Sequence, residues 1–138
     1  MDRLYLIRHG KPSAVWGGVD DDPGLDEIGL HQAEQAAASL LALPIGERPD
    51  RVASSPLRRC RETAQPLADA LGVEVDVLAG VGEIPTPRGI PVAERGAWLR
   101  AAFAGRWANV RGDLDYEAWR RDAWRTVLEH PGTAIFSH

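Results

Sequence analysis

The sequence predicts an α/β fold: a three-layer sandwich with a largely parallel central sheet and helices on both faces, formed by one domain spanning residues 1–138. Three observations carry that prediction. Short segments at residues 4–7, 51–55, 73–77 and 133–136 read as strands, and stretches with helical spacing lie between them. Their alternation requires crossover connections, which produce parallel pairing. The residues best suited to chemistry also fall at the carboxyl ends of strands, where open α/β sheets place their sites.

Leu4-Tyr5-Leu6-Ile7 is a continuous apolar run of the kind that forms a buried strand. Lys11 to Gly24 carries Pro12, Gly17, Gly18, Pro23 and the acidic run Asp20-Asp21-Asp22, so it reads as a loop. Asp26 is an N-cap candidate for a helix reaching Leu43, closed by Pro44 and Gly46. Arg51 to Ser55 is a second strand, and Pro56 reads as the first residue of the next helix. That helix runs to Leu71 before Gly72, with Pro66 expected to split or kink it. Val73, Val75 and Val77 alternate with acidic residues in strand fashion. Residues 78–97 are rich in Gly and Pro, and a short helix is expected from Trp98 to Ala104. Tyr116, Trp119, Ala123 and Val127 share a helical stripe with Trp124 beside it, read as core. Thr133 to Phe136 is the last strand.

Composition narrows the function classes. Sixteen basic and twenty acidic residues give a net charge of −4, which argues against nucleic acid or anionic membrane as a partner. The longest apolar run, Ala36 to Ile45, is interrupted by Ser39 and Pro44 and is too short for a bilayer. The N-terminus lacks the stages of a signal peptide. One cysteine, Cys60, allows neither an internal disulfide nor a thiolate metal knuckle, so the expectation is a cytoplasmic protein.

Arg8-His9-Gly10 follows the first strand directly. Neutral imidazole is a competent nucleophile, an adjacent guanidinium holds an anion against it, and glycine admits close backbone approach. Ser54 to Ala64 sets Arg58, Arg59 and Arg61 in the first turns of a helix. Helix N-termini favour anions, and Arg is the usual fork for phosphate. Arg58 can pair with Glu62 at i,i+4 and face water. Arg59 points about 100° away and can face a pocket. Glu83, in a loop after the third strand, is a candidate general acid. His138 follows a strand expected beside the first, opposite His9. His31 and His130 read as exposed helix residues, and Cys60 as core.

Together these segments resemble the histidine phosphatase superfamily, also called phosphoglycerate-mutase-like. The resemblance rests on Leu6-Ile7-Arg8-His9-Gly10, on Asp22-Pro23 with Leu25 to Ala33, on Ser54 to Ala64, and on Ser137-His138. It implies a phosphoglycerate-mutase-like fold and a metal-independent phosphomonoesterase that needs no cofactor. His9 would be the nucleophile, Glu83 the acid, and Arg8, Arg59 and His138 the phosphate-binding residues. The substrate class would be a small phosphomonoester or a phosphoprotein. Residues 84–112 would form a lid-like insert, in which Arg88 and Arg95 could meet a second anionic group but read more readily as solvated. Cys60 takes the place of an Ala, Pro12 that of a Thr or Ser, with Ser13 near enough to supply a hydroxyl, and Trp16 that of an Asn. The resemblance also implies a further helix and strand beyond Ser137-His138, so the fold is expected to be cut short at its C-terminus. Two other readings stay open: a phosphoglycerate mutase, and a non-catalytic phosphate- or phosphoprotein-binding module.

Overall fold

The structure, a computed structural model, describes residues 3–14 and 20–138. Trp16, Gly17 and Gly18 lie outside the described residues. Four strands, β1 (Tyr5–Arg8), β2 (Arg51–Ser54), β3 (Val75–Val77) and β4 (Thr133–Ser137), form a sheet in the order β1-β4-β2-β3. Every pairing is parallel. Four α-helices accompany them: α1 (Glu27–Leu41), α2 (Arg58–Leu71), α3 (Val92–Ala104) and α4 (Tyr116–Leu128).

The last strand sits centrally. β4 pairs with β1 from Tyr5↔Ala134 to Arg8↔Ser137 and with β2 from Arg51↔Thr133 to Ser54↔Phe136. Burial on both faces explains its uninterrupted apolar run. Alternate side chains serve two cores. Val52, Ala134 and Phe136 pack with Ala37 of α1 and Ala64, Leu67 and Ala68 of α2. Ala53 and Ile135 point the other way, onto Val81 and Val127 of α4. Helices therefore cover both faces, as expected.

Asp26 caps α1, its carboxylate accepting from the Gly29 amide at 2.8 Å. α2 differs from expectation at two points. It begins at Arg58, with Pro56 ahead of it, and the Arg58 amide donates to Asp22 Oδ1 at 2.7 Å. The charge-attracting end of this helix is thus occupied by the acidic loop. Pro66 lies inside an unbroken helix. The packed face of Ala64, Leu67 and Ala68 outweighs the one backbone bond that proline removes. Gly72, in the left-handed region at φ 69°, terminates the helix.

Helix α3 starts six residues before the expected Trp98. Pro91 at its N-cap and Glu94 in its first turn are start signals, masked in the sequence by the surrounding Gly and Pro. The expected α4 stripe holds for Tyr116 and Val127, which are buried, but Trp124 is 49% exposed. Tyr116, Trp98, Trp107 and Trp119 instead fasten the insert to α4: the Trp98–Tyr116 ring centroids are 5.4 Å apart and those of Trp107–Trp119 5.8 Å. His130 lies beyond α4, half-buried, with Nδ1 donating to the Thr126 carbonyl at 2.6 Å.

Phe136 is fully buried in the central strand. Phe136→Ala is expected to lower unfolding free energy by about 3–5 kcal/mol in urea titration. Ile45→Ala, at a side chain 85% exposed, should change it by about 0.5 kcal/mol or less. Equal losses would place the core elsewhere.

Candidate active site

Parallel register brings three strand ends together. His9 follows β1, Ser55 follows β2 and His138 follows β4. Two amides continue the ladders past the strands: His9 N–H donates to Ser137 O at 3.0 Å, and Ser55 N–H to Phe136 O at 2.9 Å. The His9 and His138 rings consequently face each other, with centroids 5.3 Å apart and planes at 64°. That separation is on the scale of one phosphoryl group.

The turn carrying His9 is clamped from both helices of one face. Gly10 N–H donates to Thr63 Oγ1 at 2.9 Å, and Thr63 Oγ1 donates to the Arg59 carbonyl at 2.6 Å. Lys11 N–H donates to Gln32 Oε1 at 2.8 Å. A Cβ on Gly10 would stand 2.6 Å from the Gly29 carbonyl oxygen, so the glycine admits the backbone of α1.

His9 Nδ1 lies 2.7 Å from the Gly10 carbonyl, which can only accept, so Nδ1 carries the proton. Nε2 then presents its lone pair, and Arg59 Nε donates toward it at 3.3 Å. Burial holds the His9 pKa below its usual 6.5; the Gly10 bond opposes this, and the charges of Arg59 and Arg8 reinforce it. The free site therefore favours neutral imidazole.

Arg59 is the hub, and its side chain is 5% exposed. It donates to Glu83 Oε2 at 2.8 Å and toward His138 Nδ1 at 3.3 Å. On the other side of that ring, His138 Nε2 donates to Ser55 Oγ at 2.9 Å, and Cys60 Sγ lies 3.5 Å away. Burial pushes the His138 pKa down to about 4 against the opposing charge of Glu83. Cys60 is fully buried, and burial raises its thiol to about 11.

A cavity of about 430 Å³ gathers Arg8, His9, Arg59 and Glu83. A second of about 450 Å³ is also lined by Arg8 and His9, together with Gln32 and Thr63, but not by Arg59 or Glu83. The first holds the chemistry.

The expected constellation is thus assembled: His9, Arg59, Glu83 and His138 are in contact, and Arg8 lines the same cavity. Arg58 pairs outward with Glu62 at 3.2 Å, as its phase suggests. Arg61 and His31 are exposed. Two expectations are corrected. Ser13 is exposed and does not line the cavity, whereas Pro12 and Ala14 on either side of it do. Arg95, read more readily as solvated, lines the cavity because α3 begins early enough to carry it there. Ser55, Thr63 and Gln32 were visible as motif residues, but only the fold shows which groups they bind.

Comparison with known proteins bears on the family and the fold. Residues 4–123 match the family model described as histidine phosphatase superfamily (branch 1). The chain is 29% identical over 145 residues to the transcription factor tau 55 kDa subunit of Saccharomyces cerevisiae, covering 88% of this chain and 32% of that protein. It is 31% identical over 129 residues to a 2,3-bisphosphoglycerate-dependent phosphoglycerate mutase of Thermoplasma acidophilum, covering 86% of this chain and 60% of the mutase. It therefore spans less than two thirds of either relative. The fold also resembles that of a mycobacterial glucosyl-3-phosphoglycerate phosphatase, with TM-score 0.68 and 23% identity over 98% of this chain and 73% of that one.

Proposed function

The chain belongs to the histidine phosphatase superfamily, and from that premise we propose that it hydrolyses phosphomonoesters through a phosphohistidine at His9. The observation that carries this reading is His9 with its Nε2 unprotonated and 3.3 Å from Arg59 Nε, lining a cavity that Arg59 and Glu83 also line. The curated relatives comprise a transcription factor subunit and a mutase, so membership supports the chemistry more than any one substrate.

Arg8 and Arg59 hold the equatorial oxygens, where charge accumulates in a loose transition state, and His138 joins them once the bound phosphoryl dianion draws a proton onto its Nδ1. The Arg59 donors now turned to Glu83 and His138 would pass to the phosphoryl oxygens. Nε2 attacks phosphorus in line, the P–O bond to the leaving group breaks, and Glu83 gives that oxygen a proton. Nδ1–H stays on the Gly10 carbonyl throughout. Water then attacks phosphorus, Glu83 takes its proton, the N–P bond breaks and phosphate leaves. The insert at 84–112 serves as a lid that sets the substrate, within a single domain. Because guanidinium groups supply the positive field, turnover is expected to persist in chelator. Among the described residues no helix is long and apolar enough to cross a membrane. The single buried cysteine supports a cytoplasmic setting.

The test is steady release of phosphate from an aryl phosphate. Glu83→Gln should retain the first-turnover burst of aryl oxide, since aryl oxides leave without a proton, while its steady release falls because Glu83 is also the base toward water. It should slow alkyl phosphates by about 10²-fold or more. No release by the wild-type protein would leave a binding module. Equal losses in the phosphorylation step on both substrate types would remove Glu83 from the acid role. The identity to a mutase favours phosphotransfer as a second reading, and stimulation by a bisphosphoglycerate would distinguish it.

A further inference from the structure

One edge of the His138 ring is closed by Ser55, in the turn between β2 and α2. Arg59 Nη2 donates toward His138 Nδ1 at 3.3 Å, and a guanidinium cannot accept, so Nδ1 is bare. The ring proton is therefore on Nε2, which donates to Ser55 Oγ at 2.9 Å. Ser55 is fully buried and fixed at both ends: its N–H donates to Phe136 O at 2.9 Å, and its Oγ also accepts from the Leu57 amide at 3.3 Å. Solvent offers little substitute for this acceptor, because the His138 side chain is 11% exposed. Cys60 Sγ, 3.5 Å from the same nitrogen, is a weak acceptor. On the opposite edge Nδ1 lies 3.9 Å from Glu83 Oε1, and the His9 ring stands 5.3 Å away. Arg59, His9 and Arg8 oppose a positive charge on His138, and Glu83 favours one. A buried imidazolium there is tolerated only if both of its N–H groups are accepted.

We infer that Ser55 is a positioning residue: by accepting from Nε2 it keeps Nδ1 as the nitrogen offered to the phosphoryl group, and it lets the ring hold that group as an imidazolium. The inference rests on reading the cavity beside His9 and Arg59 as the phosphoryl site. When a phosphoryl dianion enters, Arg59 turns to its oxygens and Nδ1 takes one proton from solvent. Both edges of the cation are then hydrogen-bonded, Nδ1–H to phosphate and Nε2–H to Ser55. Without the serine hydroxyl, Nε2–H is left buried beside a sulfur. The ring then favours the other tautomer, with its one proton on Nδ1, and meets phosphate uncharged.

Nitrogen NMR on protein carrying isotope-labelled histidine reads the state of His138 directly and needs no turnover. Near neutral pH, where burial keeps the free ring uncharged, wild-type protein should show Nε2–H and a bare Nδ1. Saturating inorganic phosphate should put a proton on both nitrogens. Ser55→Ala should move the free ring toward Nδ1–H, leave it singly protonated in phosphate, and weaken phosphate binding about tenfold or more. Ser55→Thr keeps the hydroxyl and should restore the doubly protonated ring, and Cys60→Ala should behave as wild type. Nδ1–H in the free wild-type protein would overturn the inference, as would a singly protonated ring in its phosphate complex. Those two results stand whether or not a variant folds. A doubly protonated ring in Ser55→Ala would also overturn it, and so would a Cys60→Ala protein that reproduced the serine variant. Absent aryl phosphate turnover with every ring state as expected would instead overturn the catalytic reading and leave the role of Ser55 standing.

Discussion

His9→Ala is expected to lower phosphomonoester turnover by about 10³-fold or more, since losing the nucleophile removes the covalent route. The substitution leaves the backbone anchors of the turn in place, because His9 N–H bonds to Ser137 O and Gly10 N–H to Thr63. Loss of activity would then report chemistry, and an unchanged melting curve would confirm it. Wild-type protein mixed with a labelled phosphomonoester and quenched in alkali should carry label on one imidazole nitrogen. A phosphoramidate survives base and is lost in acid, the opposite of a phosphoserine. Label should sit on Nε2, because Nδ1 is committed to the Gly10 carbonyl. Turnover that persists in His9→Ala would mean direct attack by water.

The pH profile follows from the same ring. The His9 pKa is held below 6.5, chiefly by burial. Nucleophilic attack needs the unprotonated form, so kcat/KM should stay flat as pH falls through 6.5 and drop only below it. A limb at or above 6.5 would show that the site does not desolvate His9 in solution.

Much of this site was legible because strand ends are legible. An apolar run followed by Arg8-His9, and another followed by Ser137-His138, place two histidines at one sheet edge once the strands are parallel neighbours. The phase between Arg58 and Arg59 also reads directly from helical geometry. What escaped depended on long-range packing. Pro66 signals a break that the buried face of α2 overrides. Pro56 signals a helix start that the Asp22 cap places two residues later. Arg95 sits in a Gly- and Pro-rich stretch that masks the start signals of its helix, Pro91 and Glu94. Ser55, Thr63 and Gln32 meet His138, the Gly10 amide and the Lys11 amide on other elements, and no local pattern could reveal those contacts.

Arg59→Ala is expected to cost about 2–4 kcal/mol of transition-state stabilisation, a fall of roughly 30- to 1000-fold in kcat/KM. Arg59 is the one guanidinium that touches His9, Glu83 and His138 together. Arg58→Ala should change kcat/KM by about twofold or less, because its guanidinium points outward to Glu62 in an exposed pair. The pH profile separates loss of charge from general disruption. Arg59 contributes to depressing the His9 pKa by its positive charge. Removing it lets His9 hold a proton to higher pH, so the acid limb of Arg59→Ala should move upward. The Arg58 variant should leave that limb in place. A variant that was merely misfolded would lose activity evenly across pH. If Arg58→Ala caused the larger loss, the phosphate-binding face of α2 would be turned by one residue, and the contacts joining Arg59 to both histidines would have to be abandoned.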